Sequence, residues 1–173
     1  YVRTNYPEVM LHERDVQLAR INTGIEDTAL EVLDFYKSDR EEPDALLMLY
    51  IEAPFRSTMY MDKAINTFQL YDVDVVDGVR SDNDIFYVHR GNGLELWHKD
   101  CKLRLEREEL YRRAGGIHLI RTSTLLKTRD MLGGRIGHIF LDQEAAFSIK
   151  SELDWDIAEL ISERVEMNEH VER

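Results

Sequence analysis

The run Ala45-Leu46-Leu47-Met48-Leu49-Tyr50-Ile51 lies between Pro43 and Pro54 and contains no charged residue. A strand that is apolar at every position is covered on both faces, and such central strands belong to parallel sheets flanked by helices. The neighbouring segments fit that architecture. Ile25, Ala29, Leu30, Val32, Leu33 and Tyr36 recur at helical spacing with Asp27, Glu31 and Asp34 between them, which predicts an amphipathic helix over 24–37. The polar stretch 38–43, closing on Pro43, ends it. Met59, Met61, Ala64, Ile65, Phe68 and Leu70 predict a second helix over 58–70, followed by a second strand from Val73 to Val79. Strand, helix and strand in succession imply a right-handed βαβ crossover.

Further along, Ile85-Phe86-Tyr87-Val88-His89 and Leu94-Glu95-Leu96-Trp97 flank the turn Gly91-Asn92-Gly93, a strong hairpin signal for a piece that projects from the main sheet. The charged stretch from Glu106 to Arg113 is compatible with a helix, Gly116 to Arg121 reads as a strand, and Ile136 to Leu141 as another. Ser151, with Asp154 three residues on, resembles a capping box that opens a last helix over 152–165. Leu153, Ile157, Leu160 and Ile161 share one face of it, and residues 166–173 read as a tail.

A length of 173 residues suits one core, and the 43% hydrophobic content is enough to offset the ordering entropy of a compact fold. The net charge of −12 repels a phosphate backbone over most of the surface, which argues against a nucleic-acid partner. A small anionic ligand remains open, because it needs only a local cluster of donors. Cys101 is the single cysteine; it has no internal disulfide partner and no metal-like Cys/His spacing around it, and a minor core role in a reducing compartment fits. No apolar run approaches the ~20 residues of a membrane span, and residues 1–10 carry no signal-peptide core. A cytoplasmic protein without membrane attachment is the expectation.

Five segments carry a more specific signal. They are Leu18 to Asp27 (LARINTGIED), Ala53-Pro54-Phe55-Arg56-Ser57, Asp74 to Val79 (DVVDGV), Ala114-Gly115-Gly116-Ile117-His118 and Ser151 to Glu159 (SELDWDIAE). In order and approximate spacing they resemble the L-A-x-D-x-T…D, S-P-L-R-T, D-S-V-V-S-V, N-G-A-I-Y and T-E-L-D-W-x-I-A-E segments of the acylneuraminate cytidylyltransferase family, across roughly residues 8–161. The resemblance implies an α/β, Rossmann-like nucleotide-diphospho-sugar transferase fold with a mostly parallel sheet and a projecting hairpin lobe. It implies one domain over 1–165, with 82–113 as an inserted dimerisation or sugar-binding lobe of a homodimer. The implied reaction transfers CMP from CTP to an acidic nonulosonic, sialic-acid-like sugar and releases pyrophosphate. The family's Gly-, Arg- and Lys-rich phosphate cradle has no counterpart here, and Tyr1 to Met10 resembles the chain well downstream of it, so the N-terminal nucleotide-binding part is expected to be missing. Gly133-Gly134-Arg135 is too short and too late to replace it.

Several residues bear on that chemistry. The family's closing motif reads I-D-I-D-T-E-L-D, with two carboxylates that hold Mg²⁺; here Ser148 and Lys150 stand at those two positions. An ammonium opposes metal binding, although it can offset phosphate charge itself. Asp142 and Glu144 lie close enough upstream to compensate. Arg56 follows the apolar strand, where α/β folds bind ligands, and reads either as a partner for an anionic group or as an ion pair with a surface acid such as Asp62. Arg104 and Arg107 read either as contacts to a sugar carboxylate, across a dimer as the resemblance implies, or as an exposed helix face paired with Glu106, Glu108 and Glu109. Gly115 and Gly116 allow close backbone approach to a ligand or make a tight turn into a strand. His118 stands inside a strand, where a packed, hydrogen-bonded histidine is expected, and no catalytic residue is identified.

The altered metal positions keep a second class of function open: a divergent, non-catalytic nucleotidyltransferase-like domain that binds or regulates. A nucleotidyltransferase using another nucleotide or sugar is a third.

Overall fold

The structure, a computed structural model, describes residues 1–38, 40–82, 84–97 and 110–171, with side chains through Arg164. Cys101, Arg104 and Arg107 lie outside the described residues. In chain order the elements are α1 (Val2–Asn5), a 3-10 turn (Val16–Ala19), α2 (Ile25–Lys37), β1 (Ala45–Leu49), α3 (Thr58–Tyr71) and β2 (Val75–Asp82). They are followed by β3 (Tyr87–His89), β4 (Leu94–Leu96), β5 (Leu110–Arg121), α4 (Thr122–Thr128), β6 (Ile136–Phe140) and α5 (Glu152–Val171).

The main sheet has the order β1-β5-β2-β6. β5 runs antiparallel to both β1 and β2, whereas β6 is parallel to β2, so three of the four strands share one direction and β5 alone is reversed. The successive strands β1 and β2 are therefore parallel but not adjacent, because β5 is inserted between them. β3 and β4 form the separate hairpin expected around Gly91-Asn92-Gly93, whose two glycines take φ values of +92° and +111°.

Helices cover both faces. On one face, Tyr60, Ala64 and Phe68 of α3 pack against Val76, Ile117, Leu119 and Ile139 of the sheet. On the other, Ala29, Leu30 and Leu33 of α2 meet Val75 and Ile120, with Leu125 of α4 alongside. Each aliphatic side chain removed from water in this way stabilises the fold by about 1.5–3 kcal/mol. Successive residues of β1 divide between the two layers: Ala45 and Leu47 join the α3 side, Leu46 and Met48 the α2 side. The continuous apolar run thus does face two helix layers. It is not fully buried, however, since β1 bonds to one neighbour only among the described strands and its residues are half-buried or exposed.

Three further expectations change. Residues 110–113, read as part of a charged helix, open the twelve-residue β5, with Leu110 paired to Asp82 and Tyr111 to Ser81. Pairing to β2 outweighs the local charge pattern there. The segment read as a tail continues α5 as far as Val171. α4 was not expected, because TSTLLKT has only two apolar residues; one of them, Leu125, is fully buried. The capping box is present: the Ser151 hydroxyl donates to the Asp154 carboxylate at 2.8 Å, and the Asp154 N–H to the Ser151 oxygen at 3.3 Å. Among the described residues no helix is long and apolar enough to cross a membrane.

Candidate functional site

The carboxyl ends of β1, β2 and β6 lie at one edge of the sheet, together with the amino end of the reversed β5. This is the edge at which α/β sheets bind ligands. Four segments meet there: the loop after β1 (residues 50–57), the end of β2, the start of β5 and the loop from Leu141 to Ser151. The Tyr50 N–H donates to the Gly116 carbonyl at 2.9 Å, and the Ile149 N–H donates to the Glu52 carbonyl at 2.8 Å. Arg56, Gly115, Gly116, Asp142 and Ser148, singled out in the sequence at scattered positions, are thereby brought to one edge of the sheet.

Their partners define what each does as folded. The Arg56 guanidinium donates to the carbonyl of Tyr50 at 2.6 Å and to that of Ala53, so it braces the turn after β1 in place of pairing with Asp62. Burial pulls it below its ordinary value, and Glu52 opposes that shift. Gly115 and Gly116 both adopt left-handed backbone, with φ +67° and +56°. At Gly115 an added Cβ would lie 2.8 Å from the Ala145 carbonyl oxygen, and at Gly116 it would lie 2.8 Å from the Tyr50 Cβ. The close approach at these glycines is to the protein itself. Here β5 loses register with β2: Asp77 faces His118 and Val79 faces Arg113, so Gly78 is spanned by residues 114–117.

Asp142 accepts from the Tyr60 hydroxyl at 2.7 Å and from the Ala145 N–H at 2.8 Å. Those bonds, the Tyr60 one foremost, hold its carboxyl below the usual range and push the Tyr60 phenol up. Glu144 is ion-paired to Arg164 of α5. Lys150 is exposed, and its N–H donates to Asp154 at 3.0 Å. Among the described residues no three His, Cys, Asp or Glu side chains converge as metal ligands. With Asp142 committed to a turn and Glu144 to an ion pair, the side chains as folded do not fit a carboxylate-held Mg²⁺.

One group was missed by sequence reasoning. Asp77, 7% exposed, accepts through Oδ1 from His118 Nδ1 at 2.6 Å, and the same oxygen is ion-paired to Arg113, whose Nε lies 2.9 Å away. His118 is fully buried and hydrogen-bonded, as expected for a strand histidine, but its Nε2 has no partner. A carboxylate oxygen only accepts, so Nδ1 carries the proton of the bond to Asp77. Arg113 extends over the Tyr50 ring, 5.8 Å from its centroid. An aspartate inside the apolar word VVDGV was a signal in itself, because such a residue is seldom buried without a partner. Naming that partner required the β2/β5 register. Nearby, Tyr111, His138 and Phe140 form an aromatic group with centroids 5.1–5.5 Å apart.

A cleft of about 410 Å³ opens at the opposite, amino edge, lined by Asp44, Phe68, Asp72, Arg121 and Thr122 among others. It contains none of the residues singled out from the sequence.

No protein-family model and no curated protein sequence matches the chain. Solved structures do match. The 4-diphosphocytidyl-2C-methyl-D-erythritol synthase of Anaerococcus prevotii superposes with a TM-score of 0.56 at 15% identity, covering 82% of this chain and 68% of that one. The 2-C-methyl-D-erythritol 4-phosphate cytidylyltransferase of Thermus thermophilus gives 0.55 at 16% identity, covering 88% and 78%. At such identities the likeness establishes the Rossmann-like α/β fold and nothing finer.

Proposed function

We propose that the chain carries the acceptor-sugar side of a cytoplasmic cytidylyltransferase, which transfers CMP from CTP to an acidic nonulosonic, sialic-acid-like sugar. One observation carries the reading: residues picked out by resemblance to such enzymes, far apart in sequence, converge at the carboxyl edge of a fold that two structures named as cytidylyltransferases also adopt. In the reaction the sugar hydroxyl oxygen bonds to the α-phosphorus of CTP as the bond to the β-phosphate bridging oxygen breaks. Pyrophosphate leaves with that electron pair, and the hydroxyl proton passes to solvent. Catalysis of this kind is mainly positioning and charge stabilisation. Lys150 supplies a fixed positive charge in the loop before α5. The exposed apolar residues of the β3–β4 hairpin, Tyr87, Leu94 and Leu96, suit the proposed contact between two copies of the chain.

The second reading, a binding or regulatory domain, is favoured by Ser148 and Lys150 and by the commitment of Asp142 and Glu144 to other partners. Pyrophosphate release by the full-length protein, supplied with CTP, Mg²⁺ and N-acetylneuraminate, separates the two. Release that requires both CTP and the sugar is expected. No release, with Lys150→Asp restoring none, supports the binding role.

A further inference from the structure

We infer that Arg113 is an anion clamp at the carboxyl edge, positioned by Asp77 and His118, and that it takes the compact oxyanion of the acceptor sugar, a carboxylate or a phosphate. The identity of the ligand rests on the cytidylyl-transfer reading; the clamp stands on geometry. Asp77 Oδ1 is ion-paired to Arg113, with Nε 2.9 Å away, and the arginine side chain remains 41% exposed. An exposed guanidinium anchored in this way presents a planar fork that matches two oxygens of a carboxylate or phosphate.

The tether is itself fixed from behind. His118 is fully buried, sits opposite both Met48 and Asp77 in the sheet, and donates to the same oxygen that holds Arg113. The carboxylate therefore cannot swing without breaking a buried hydrogen bond. The ring centroid of Tyr50, just after β1, lies 5.8 Å from the guanidinium carbon. The next step of the ladder places Arg80 directly opposite Arg112. Like charges in that relation cost stability, and among the described residues Asp82, 3.6 Å from Arg112, and the nearby Asp142 offset them. Arg80, Arg112 and Arg113 thus lie at one edge of the sheet, each with a carboxylate beside it, Asp142, Asp82 and Asp77 in turn.

The test is binding of N-acetylneuraminate, of its uncharged methyl ester and of 2-C-methyl-D-erythritol 4-phosphate to the full chain. The variants are Arg113→Gln, Arg113→Lys, His118→Asn and His118→Leu. The parent is expected to bind at least one of the two anions, and to prefer acid over ester by about tenfold if the oxyanion is a carboxylate, the worth of one charge-assisted contact. Arg113→Gln abolishes that binding or preference. Arg113→Lys, which keeps the charge but loses the fork, weakens it by about as much. His118→Asn keeps a donor toward Asp77 and should bind as the parent does, whereas His118→Leu should bind more weakly and speed hydrogen exchange at Arg113 Nε. A merely structural histidine would lower the melting temperature without moving that exchange. Whichever anion depends on Arg113 identifies the oxyanion. No binding of either anion to the parent, or equal binding by Arg113→Gln, overturns the inference. If the full-length Arg113→Gln enzyme turns over with the parental KM, the clamp falls while the transfer reading stands; if anion binding depends on Arg113 but pyrophosphate is never released, the reverse holds.

Discussion

Replacing Gly115 with alanine is expected to lower the stability of the chain by about 2–5 kcal/mol, the sum of about 1–2 for left-handed backbone and about 1–3 for overpacking. Two causes act together. At φ +67° an L-residue is strained whatever the space around it, and the new methyl meets the Ala145 carbonyl oxygen at 2.8 Å. The Leu141 side chain also stands in the way and can rotate aside, but the carbonyl belongs to the turn that Asp142 holds through the Ala145 N–H. Gly91→Ala is the control. Its φ is +92° with nothing within 4 Å, so only the backbone cost remains, about 1–2 kcal/mol. Urea denaturation with an unchanged slope gives both values; equal losses at the two positions would mean that the junction of β5, β1 and the loop after β6 is not packed as described.

The second large effect concerns Asp77. Asp77→Leu strands the buried His118 Nδ1–H, which costs about 1–3 kcal/mol, and frees Arg113, which is exposed enough to recover water at small cost. His118→Leu is expected to cost less than about 1 kcal/mol, because it removes the unpaired Nε2 and leaves Asp77 bound to Arg113. The double variant should therefore be more stable than Asp77→Leu alone. Denaturation of the parent and the three variants, treated as a cycle, measures this; additive losses would mean that the two side chains do not interact.

The sequence disclosed the elements whose signal is local. Helical spacing marked α2 and α3, the apolar run marked β1, Gly-Asn-Gly marked the hairpin, and Ser151 with Asp154 marked the start of α5. Their limits shifted where neighbours decide. Leu110 to Arg113 lie in a tract rich in Glu and Arg, yet they are drawn into a strand by β2, a partner far earlier in the chain. The same separation hid the Asp77–His118–Arg113 group, since nothing near Asp77 in the chain says that β5 runs back beside it. The resemblance picked out Arg56, Gly115, Gly116 and the Asp142–Lys150 loop, but their partners are matters of packing. Arg56 grips two carbonyls and Glu144 grips α5, and no word in the sequence specifies either contact.

A functional site at the carboxyl edge of the sheet is tested most directly by amide NMR of the ¹⁵N-labelled chain during titration with N-acetylneuraminate, and separately with CTP. Shifts confined to residues 50–57, 110–116 and 141–151 are the predicted result. Shifts gathered instead around Asp44 and residues 121–123, at the opposite edge, or none with either compound, would contradict it.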